Sequence, residues 1–173
     1  MGLLRRLFGK KYVPSADQYE SPVGAEPTPT NQFEMFSRTA TIVVFDLACL
    51  KRRIEHDVDW WTDPAEEVEE LHRRNLLIAG LGANDWYDVC VTDGSIDAAQ
   101  SFSLSFPSGR VFVGPGEEIS GGGDEPTGAH GGKIFVFDPG DYNVALNRED
   151  QALVVSINPS PAFSNSHSGP VVI

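Results

Sequence analysis

The residues best suited to chemistry lie in and after the segment DVDWWTDPAEEVEEL, residues 57–71. Two adjacent tryptophans stand among acidic residues there, and a third follows in NDWYDV. Tryptophan is enriched at interface centres because its ring buries a large apolar area. Carboxylates beside such rings would bind a basic protein, or would accept hydrogen bonds from a sugar stacked on the ring. The candidate protein-binding residues in these segments are Asp57, Asp59, Trp60, Trp61, Asp85, Trp86 and Tyr87.

The two adjacent tryptophans are expected to have different environments. Neighbouring side chains on regular secondary structure point in different directions, so both rings cannot face the interior. We predict that one of Trp60 and Trp61 packs beneath the helix that follows, near the core. The other is expected to be exposed beside Asp57 and Asp59.

Most of the acids after the tryptophans are explained by the start of a helix. Asp63 can accept a hydrogen bond from a free backbone N–H, and Pro64 suits the first helical position. Glu66 stands where a capping-box partner belongs, and early acids complement the positive end of the helix dipole. The acidic run therefore indicates a helix more than a surface built for a basic partner.

The same segment predicts ion pairs and a buried stripe along the helix. Glu69 with Arg73, and Glu70 with Arg74, are four residues apart. That spacing brings side chains together on an exposed face and stabilises a helix by about 0.2–0.5 kcal/mol per pair. The predicted inward residues are Ala65, Val68 and either Leu71 or His72.

A glycine-rich segment, GPGEEISGGGDEPTGAHGGK at residues 114–133, lacks the pattern of a phosphate-binding loop. Its acids would repel phosphate, and we predict a flexible surface loop. A mobile loop of this length can insert into the cleft of a partner. Glu117, Glu118 and Asp124 therefore join the candidate protein-binding residues.

The motifs of known catalytic and metal sites are missing from the sequence. There is no GxSxG, HExxH or CxxC, and no cysteine has a suitably placed histidine. His56, Asp57 and Asp59 are close in sequence, but a mononuclear metal site needs a third convergent ligand. We therefore expect no cofactor, no metal and no enzymatic activity, and an enzyme of unrecognised type stays as an alternative.

The distribution of charge points to a basic partner and away from nucleic acids. The formal net charge is −12, and the first eleven residues contain Arg5, Arg6, Lys10 and Lys11. Removing those four positive charges from −12 leaves −16 on the remainder. This strongly negative part of the chain repels nucleic acid phosphates and attracts a basic protein, and the association is faster at low salt.

Sequence features near the N-terminus and around the cysteines indicate a cytoplasmic protein. Arginines interrupt the first apolar run after three residues, so it lacks the core of a secretory signal. No apolar run is long enough to span a bilayer. Cys49 and Cys90 stand in apolar contexts, which predicts buried free thiols and fits a reducing compartment.

Short β-branched and aromatic runs between glycine and proline turns predict eight strands. We expect a mainly β fold: an antiparallel β-sandwich or barrel-like domain with one or two short helices, one of them in ACLKRRIEH. QSFSLSFPSGRVFVG predicts a hairpin, with Phe102, Leu104 and Phe106 on one face and a turn at 107–109. IFVFDPGDYNVALN predicts a second strand pair, 134–137 with 142–146.

Composition divides the chain into three parts. Residues 1–31 contain the basic segment and a Pro- and Ser-rich linker that we expect to be disordered. Residues 32–160 form the predicted β-rich domain, and 161–173 a flexible tail.

Residues 45–91, FDLACLKRRIEHDVDWWTDPAEEVEELHRRNLLIAGLGANDWYDVCV, resemble small bacterial proteins of uncharacterised families, including immunity proteins of the type VI secretion kind. The shared elements are a strand ending in Asp, an LxxR segment, DWW, an acidic helix and an aromatic strand after a glycine turn. Trp86 stands where the pattern has glycine. The matching residues are Asp46, Leu50, Arg53, Asp59, Trp60, Trp61, Gly82, Asn84, Tyr87 and Val89.

The resemblance implies an immunity protein that neutralises a toxin by binding it directly. Together with the acidic body, it makes a basic toxin or effector the expected partner. Two alternatives stay open: a carbohydrate- or small-ligand-binding sandwich with a tryptophan-lined groove, and the unrecognised enzyme.

Overall fold

A computed structural model describes residues 31–51, 53, 60–98, 100–120 and 125–173. The predicted basic segment and linker therefore lie outside the described residues, apart from residue 31. The strands in the described part are β1 Gln32–Ser37, β2 Thr41–Asp46, β3 Leu76–Gly80, β4 Asp85–Thr92, β5 Ser101–Phe106, β6 Arg110–Pro115, β7 Lys133–Val136, β8 Gly140–Glu149, β9 Ala152–Pro159 and β10 Val171–Val172. The described part also contains an α-helix, α1 Pro64–His72, and 3₁₀ turns at Trp60–Thr62 and Gly116–Ser120.

The described strands form two five-stranded sheets that pack as a sandwich. Sheet A has the order β1-β4-β9-β8-β5, and sheet B has the order β10-β3-β2-β6-β7. The predicted mainly β sandwich is confirmed, and it is not a closed barrel. Both sheets are mixed, because β4 pairs with β9, and β10 with β3, in parallel.

The core lies between the sheets because the strands alternate inward and outward side chains. Phe102, Leu104 and Phe106 of β5 are all buried in it, as the sequence predicts. Facing residues such as Val44 and Leu77 come from sheet B.

The predicted hairpin at 100–114 is wrong in its pairing, although both strands and the turn exist. β5 pairs with β8 in sheet A, whereas β6 pairs with β2 and β7 in sheet B. Residues 107–109 carry the chain between sheets: the Asp46 carboxylate accepts hydrogen bonds from Ser108 N at 3.0 Å and Ser108 Oγ at 2.6 Å. Gly109 has a φ of 70°, and a Cβ there would collide with the Phe137 carbonyl. The predicted pairing of 134–137 with 142–146 is wrong in the same way, since β7 and β8 belong to different sheets.

Helix α1 packs beside β3 and the 3₁₀ turn at Trp60–Thr62, and it begins as predicted. The Asp63 side chain accepts a hydrogen bond from Ala65 N at 2.9 Å, and Pro64 occupies the first turn. The stripe differs from the prediction: Leu71 is buried, but Ala65 and His72 are exposed. Glu70, predicted to be on the surface, is fully buried.

Buried Glu70 is held by an ionic network that replaces one of the predicted ion pairs. Arg53 Nε donates to it at 2.9 Å and Asn75 Nδ2 at 2.7 Å. The pair Glu69–Arg73 is confirmed at 2.6 Å. The pair Glu70–Arg74 is wrong, because Arg74 has a φ of 64° and its guanidinium contacts Asp141 at 2.7 Å instead. Of the predicted helix at 48–56, Lys51 and Arg53 are helical, and 52 and 54–56 lie outside the described residues.

The C-terminal residues, predicted to be a flexible tail, are bonded to both layers. Val171 and Val172 pair in parallel with β3. The Asn165 amide accepts from Ser103 N at 2.8 Å and donates to Ser103 O at 2.9 Å, which satisfies the free edge of β5. It also donates to Leu71 O at 2.6 Å, at the end of α1. These residues therefore close one side of the sandwich.

Candidate functional site

An exposed tryptophan packs against a half-buried phenylalanine on the outer face of sheet A. Trp86 of β4 is 60% exposed, far more than the other two tryptophans. Phe36 of β1 is its Cα partner across the antiparallel pair, and the ring centroids are 5.3 Å apart. A single exposed apolar side chain is common on protein surfaces, but two aromatic rings in contact form a platform on which another surface can pack.

Three exposed carboxylates run across the sheet beside this platform. Glu34 of β1 lies directly opposite Asp88 of β4, and Asp88 is in turn opposite Ala152 of β9. Ala152 pairs with Glu149 at the end of β8. We call the surface formed by Phe36, Trp86, Glu34, Asp88 and Glu149 the acidic-aromatic face.

The carboxylates of the acidic-aromatic face have no cation of their own in the described part of the chain. None of the ion pairs between described residues involves Glu34, Asp88 or Glu149. Like charges directly opposite each other on neighbouring strands destabilise a sheet, by roughly 0.2–1 kcal/mol. A cation supplied from outside the described fold would remove this repulsion.

Asp85, a predicted binding residue, stands at the border of this face. It is half-buried, and its Oδ1 accepts a hydrogen bond from Trp86 N at 2.8 Å. That bond fixes the backbone just before the exposed tryptophan. Tyr87, also predicted, points to the opposite side of β4, where it is buried and its hydroxyl donates to Ala83 O at 2.6 Å.

The adjacent tryptophans lie on the other side of the molecule. Trp60 is 3% exposed, and it packs with Phe45 and Phe112 on the outer face of sheet B. The guanidinium of Arg53 lies 4.9 Å from its ring centroid. Trp61 is half-buried against the same cluster. One of the two tryptophans is therefore buried in a core cluster, as expected, and the expected exposure of the other is only partial. The structure does not bring Trp60 and Trp61 together with Trp86.

Several predicted residues of the opening segment and the glycine-rich loop fall outside the described residues. These are Asp57, Asp59 and Asp124, together with His56.

Glu117 and Glu118 are bound into the fold rather than displayed by a loose loop. Glu117 accepts hydrogen bonds from Arg38 N at 2.8 Å and Thr39 Oγ1 at 2.9 Å. Glu118 is buried and accepts from Thr127 N at 2.8 Å and from His130. Burial alone would raise the pKa of the Glu118 carboxyl, but these donors outweigh it and lower that pKa below its ordinary value. The glycine-rich segment is therefore anchored at both of these acids.

Neither cysteine is poised for reaction. Both are free, with Cys90 buried as predicted and Cys49 half-buried. Burial, and then the Asp46 and Glu70 carboxylates, raise the pKa of the Cys49 thiol to about 12, and burial raises the pKa of Cys90. The thiolate is the reactive form, so both thiols are inert near neutral pH. Within the described ranges, no three His, Cys, Asp or Glu side chains converge as metal ligands would.

Two adjoining clefts of about 230 and 450 Å³ lie between β5 and the C-terminal residues. They share Gln100 and Phe102, and none of the described residues that line them is a tryptophan. The groove expected for a sugar, lined by Trp86 with Trp60 or Trp61, is therefore not formed by the described residues. No described helix has the length and apolar character of a bilayer span.

Residues 29–173 match the model of a family of unknown function, DUF6386. The chain belongs to this family. Comparison with curated proteins gives no match. A solved structure described as Crocagin biosynthetic gene J is similar, with a TM-score of 0.51 and 15% sequence identity over 75% of this chain and 96% of that chain. At this identity the similarity supports the shared fold alone.

The DUF6386 region contains the whole acidic-aromatic face, from Glu34 to Glu149. Four of its five residues, Phe36, Glu34, Asp88 and Glu149, were not among the predicted site residues. The sequence QFEMFS carries a detectable pattern, because Gln32, Glu34 and Phe36 alternate with apolar residues at a period of two. Reading this stretch as a strand would have placed Phe36 and Glu34 on one face, but not opposite β4.

Proposed function

We propose that this DUF6386 protein is a non-enzymatic binding protein that docks a basic protein on its acidic-aromatic face. The observation that carries the proposal is the pair Glu34–Asp88, opposed across two strands beside exposed Trp86, with no described cation between them. A fold retains such repulsion at a cost in stability. That cost has a function if a partner supplies the missing positive charge.

The layout of the face suits a protein partner. Binding energy concentrates in a few central aromatic or Arg side chains, surrounded by polar residues that exclude water. Trp86 on Phe36 supplies the aromatic centre, and the carboxylates supply the charged border. The net charge of −16 outside the first eleven residues would steer a basic partner to this surface and make association fast and salt-dependent.

We further propose that the partner is a toxin or effector that the protein neutralises by occlusion. This part of the proposal is supported by the resemblance of residues 45–91 to type VI immunity proteins and by the charge of the body. An immunity protein needs no catalytic group, since neutralisation requires only a stable complex.

The first test is co-expression with the proteins encoded beside it. A basic neighbour should co-purify in a stoichiometric complex, and its toxicity to a host cell should disappear when both are present. If no neighbour is bound or neutralised, the proposal of an immunity protein is wrong.

A second test asks whether the acidic-aromatic face is the interface. Trp86→Ala should weaken the complex by about 30-fold or more, as for a central aromatic anchor. Phe163→Ala is the matched control, because Phe163 is also exposed but lies in the C-terminal segment. Equal effects of both variants would place the interface elsewhere.

A further inference from the structure

The acidic-aromatic face has a complementary sequence within the same chain. The first eleven residues, MGLLRRLFGKK, contain four cations and no acid. Leucines and a phenylalanine are interleaved with Arg5, Arg6, Lys10 and Lys11. An apolar platform bordered by unpaired carboxylates suits such a mixture, because both the rings and the charges find partners.

We infer that this basic segment, residues 1–11, docks on the acidic-aromatic face of its own chain when no partner occupies it. The attachment point favours this arrangement. Residue 31 leads directly into β1, where Gln32 is opposite Cys90, two positions before Glu34 meets Asp88 and four before Phe36 meets Trp86. The chain therefore enters the domain at the border of the face.

The connecting chain is long enough for this docking. Twenty residues, 12–31, separate the basic segment from β1, and a chain of that length reaches at most about 70 Å. From Glu34 on β1 to Glu149 on β8 the face crosses four strands, or about 15 Å. A tether that exceeds the span makes docking intramolecular, which typically corresponds to a millimolar effective concentration.

The segment is expected to use side chains rather than to extend the sheet. The outer edge of β1 is already in use, because Phe36 N donates to His130 O at 2.9 Å. Lys133 Nζ also donates to Gln32 O at 3.1 Å on this edge. Gly131 packs so closely on Glu34 O that a Cβ there would collide with it. An added strand has no place here, whereas the outer face beside it is open.

Docking of this kind is weak and reversible. Exposed ion pairs contribute little individually and are screened by salt. A basic partner that covers a larger area of the face would displace the segment. The inference rests on the proposed function for this competition, but the docking itself needs no partner, so the two can fail separately.

Zero-length carbodiimide cross-linking of the full chain tests the docking directly, because it joins an amine to a carboxylate in contact. Cross-links from Lys10 or Lys11 should concentrate on Glu34, Asp88 and Glu149 in the monomer. They should fall several-fold in about 1 M salt, where the Debye length is about 3 Å. Exposed Asp138, at the opposite end of β8 from Glu149, is the internal control.

Two results would overturn the inference. One is an even distribution of cross-links over Asp138 and the face. The other is cross-linking only between isotope-labelled and unlabelled chains in a mixture, which would make a second copy the occupant.

A variant in which Arg5, Arg6, Lys10 and Lys11 are all replaced by Gln gives an independent readout. Acrylamide quenching of Trp86 fluorescence should rise about twofold, measured as the difference from a Trp86→Phe reference with the same N-terminus. Unchanged quenching, with an unchanged circular dichroism spectrum, would also overturn the inference. Neither measurement involves a partner protein, so failure to find a toxin leaves both results valid.

Discussion

Glu67 on α1 is half-buried, with its carboxyl group close to the backbone N–H of Val171 in β10. Burial raises the pKa of Glu67 to about 7, even though the Val171 N–H opposes the shift.

This raised pKa predicts how stability depends on pH. The folded state holds the Glu67 proton more tightly than the unfolded chain, so the stabilising contribution is fully present below the ordinary pKa of about 4.5. It is lost as pH rises from there to about 7, and stays lost above. Glu67→Gln keeps the acceptor without the charge. It should equal the wild type near pH 4.5 and exceed it by about 1 kcal/mol at pH 8, after allowance for partial solvent screening.

Urea unfolding of both proteins across this range measures the difference, from which other titrating groups cancel. Glu69→Gln, on the exposed side of α1, is the control. A wild type that gains stability relative to Glu67→Gln as pH rises would contradict the prediction.

Glu118→Ala should destabilise the protein and loosen the glycine-rich segment. The change leaves Thr127 N and the His130 donors without their acceptor, at a cost of about 1–3 kcal/mol. Because the pKa of Glu118 is lowered, its contribution is present above the ordinary carboxyl range and is lost as pH falls through the folded value. Chemical denaturation at pH 7 and pH 3 should show the difference shrinking in acid.

Glu125→Ala removes an exposed carboxylate from the same segment, where it pairs with Arg110, and should leave the free energy of unfolding almost unchanged. Equal losses for Glu118→Ala and Glu125→Ala would mean that the buried carboxylate does not anchor the segment.

Asn165→Ala should expose the free edge of β5. The side chain satisfies both backbone groups of Ser103 and the Leu71 carbonyl, so its removal should cost about 2 kcal/mol. Hydrogen exchange at the Ser103 amide should accelerate at least tenfold. Ser164→Ala, one residue earlier, should leave that amide protected, and fast exchange in both variants would point to general destabilisation.

The sequence predicts the features of this fold that depend on residues close together along the chain, and it does not predict those that depend on distant residues. The alternation of Phe102, Leu104 and Phe106 predicts which side of β5 is buried, and Asp63 with Pro64 predicts where α1 begins. These are local effects of period and capping. The pairing of β5 with β8 rather than β6 is not local, because a turn such as 107–109 serves equally to reverse a chain or to carry it to the second sheet.

The burial of Glu70 and the short strand β10 are not predicted from the sequence, because both depend on tertiary contacts. Glu70 is an acid on a helix rich in acids, and only tertiary contact with Arg53 and Asn75 makes its burial favourable. The two residues of β10 carry no pattern at all, and they pair because β3 offers an edge.

The candidate site was partly predictable for related reasons. Trp86 was among the predicted binding residues and is exposed, but Trp60 and Trp61 were grouped with it because they are near in sequence. The fold separates them because Trp60 and Trp61 pack on sheet B, whereas β4 belongs to sheet A. Residues that are close along the chain can lie far apart on the surface of a sandwich, because successive strands often belong to different sheets.

The repulsion between Glu34 and Asp88 predicts that function and stability oppose each other at this site. Glu34→Gln removes one of two facing charges while keeping size and hydrogen-bonding capacity. The basic segment of residues 1–11 would offset this repulsion, so the comparison is made in the variant whose Arg5, Arg6, Lys10 and Lys11 are replaced by Gln. There the free energy of unfolding should rise by about 0.5 kcal/mol at low salt, and the gain should vanish in about 1 M salt as the repulsion is screened. Affinity for a basic partner should fall in the same variant, chiefly through slower association.

Asp138→Asn is the matched control for this opposition, because Asp138 is exposed at the other end of β8. It removes the same charge from the body but should change neither stability nor affinity at the face. Urea unfolding at two salt concentrations and association kinetics with the co-purified partner measure both quantities. Two results would contradict the prediction: a loss of stability in Glu34→Gln at low salt, or an equal slowing of association in both variants. Either would mean that Glu34 and Asp88 do not repel each other in a way that a basic partner relieves. A gain in stability together with a loss of binding, confined to Glu34→Gln, would identify this pair as the charge that the partner neutralises.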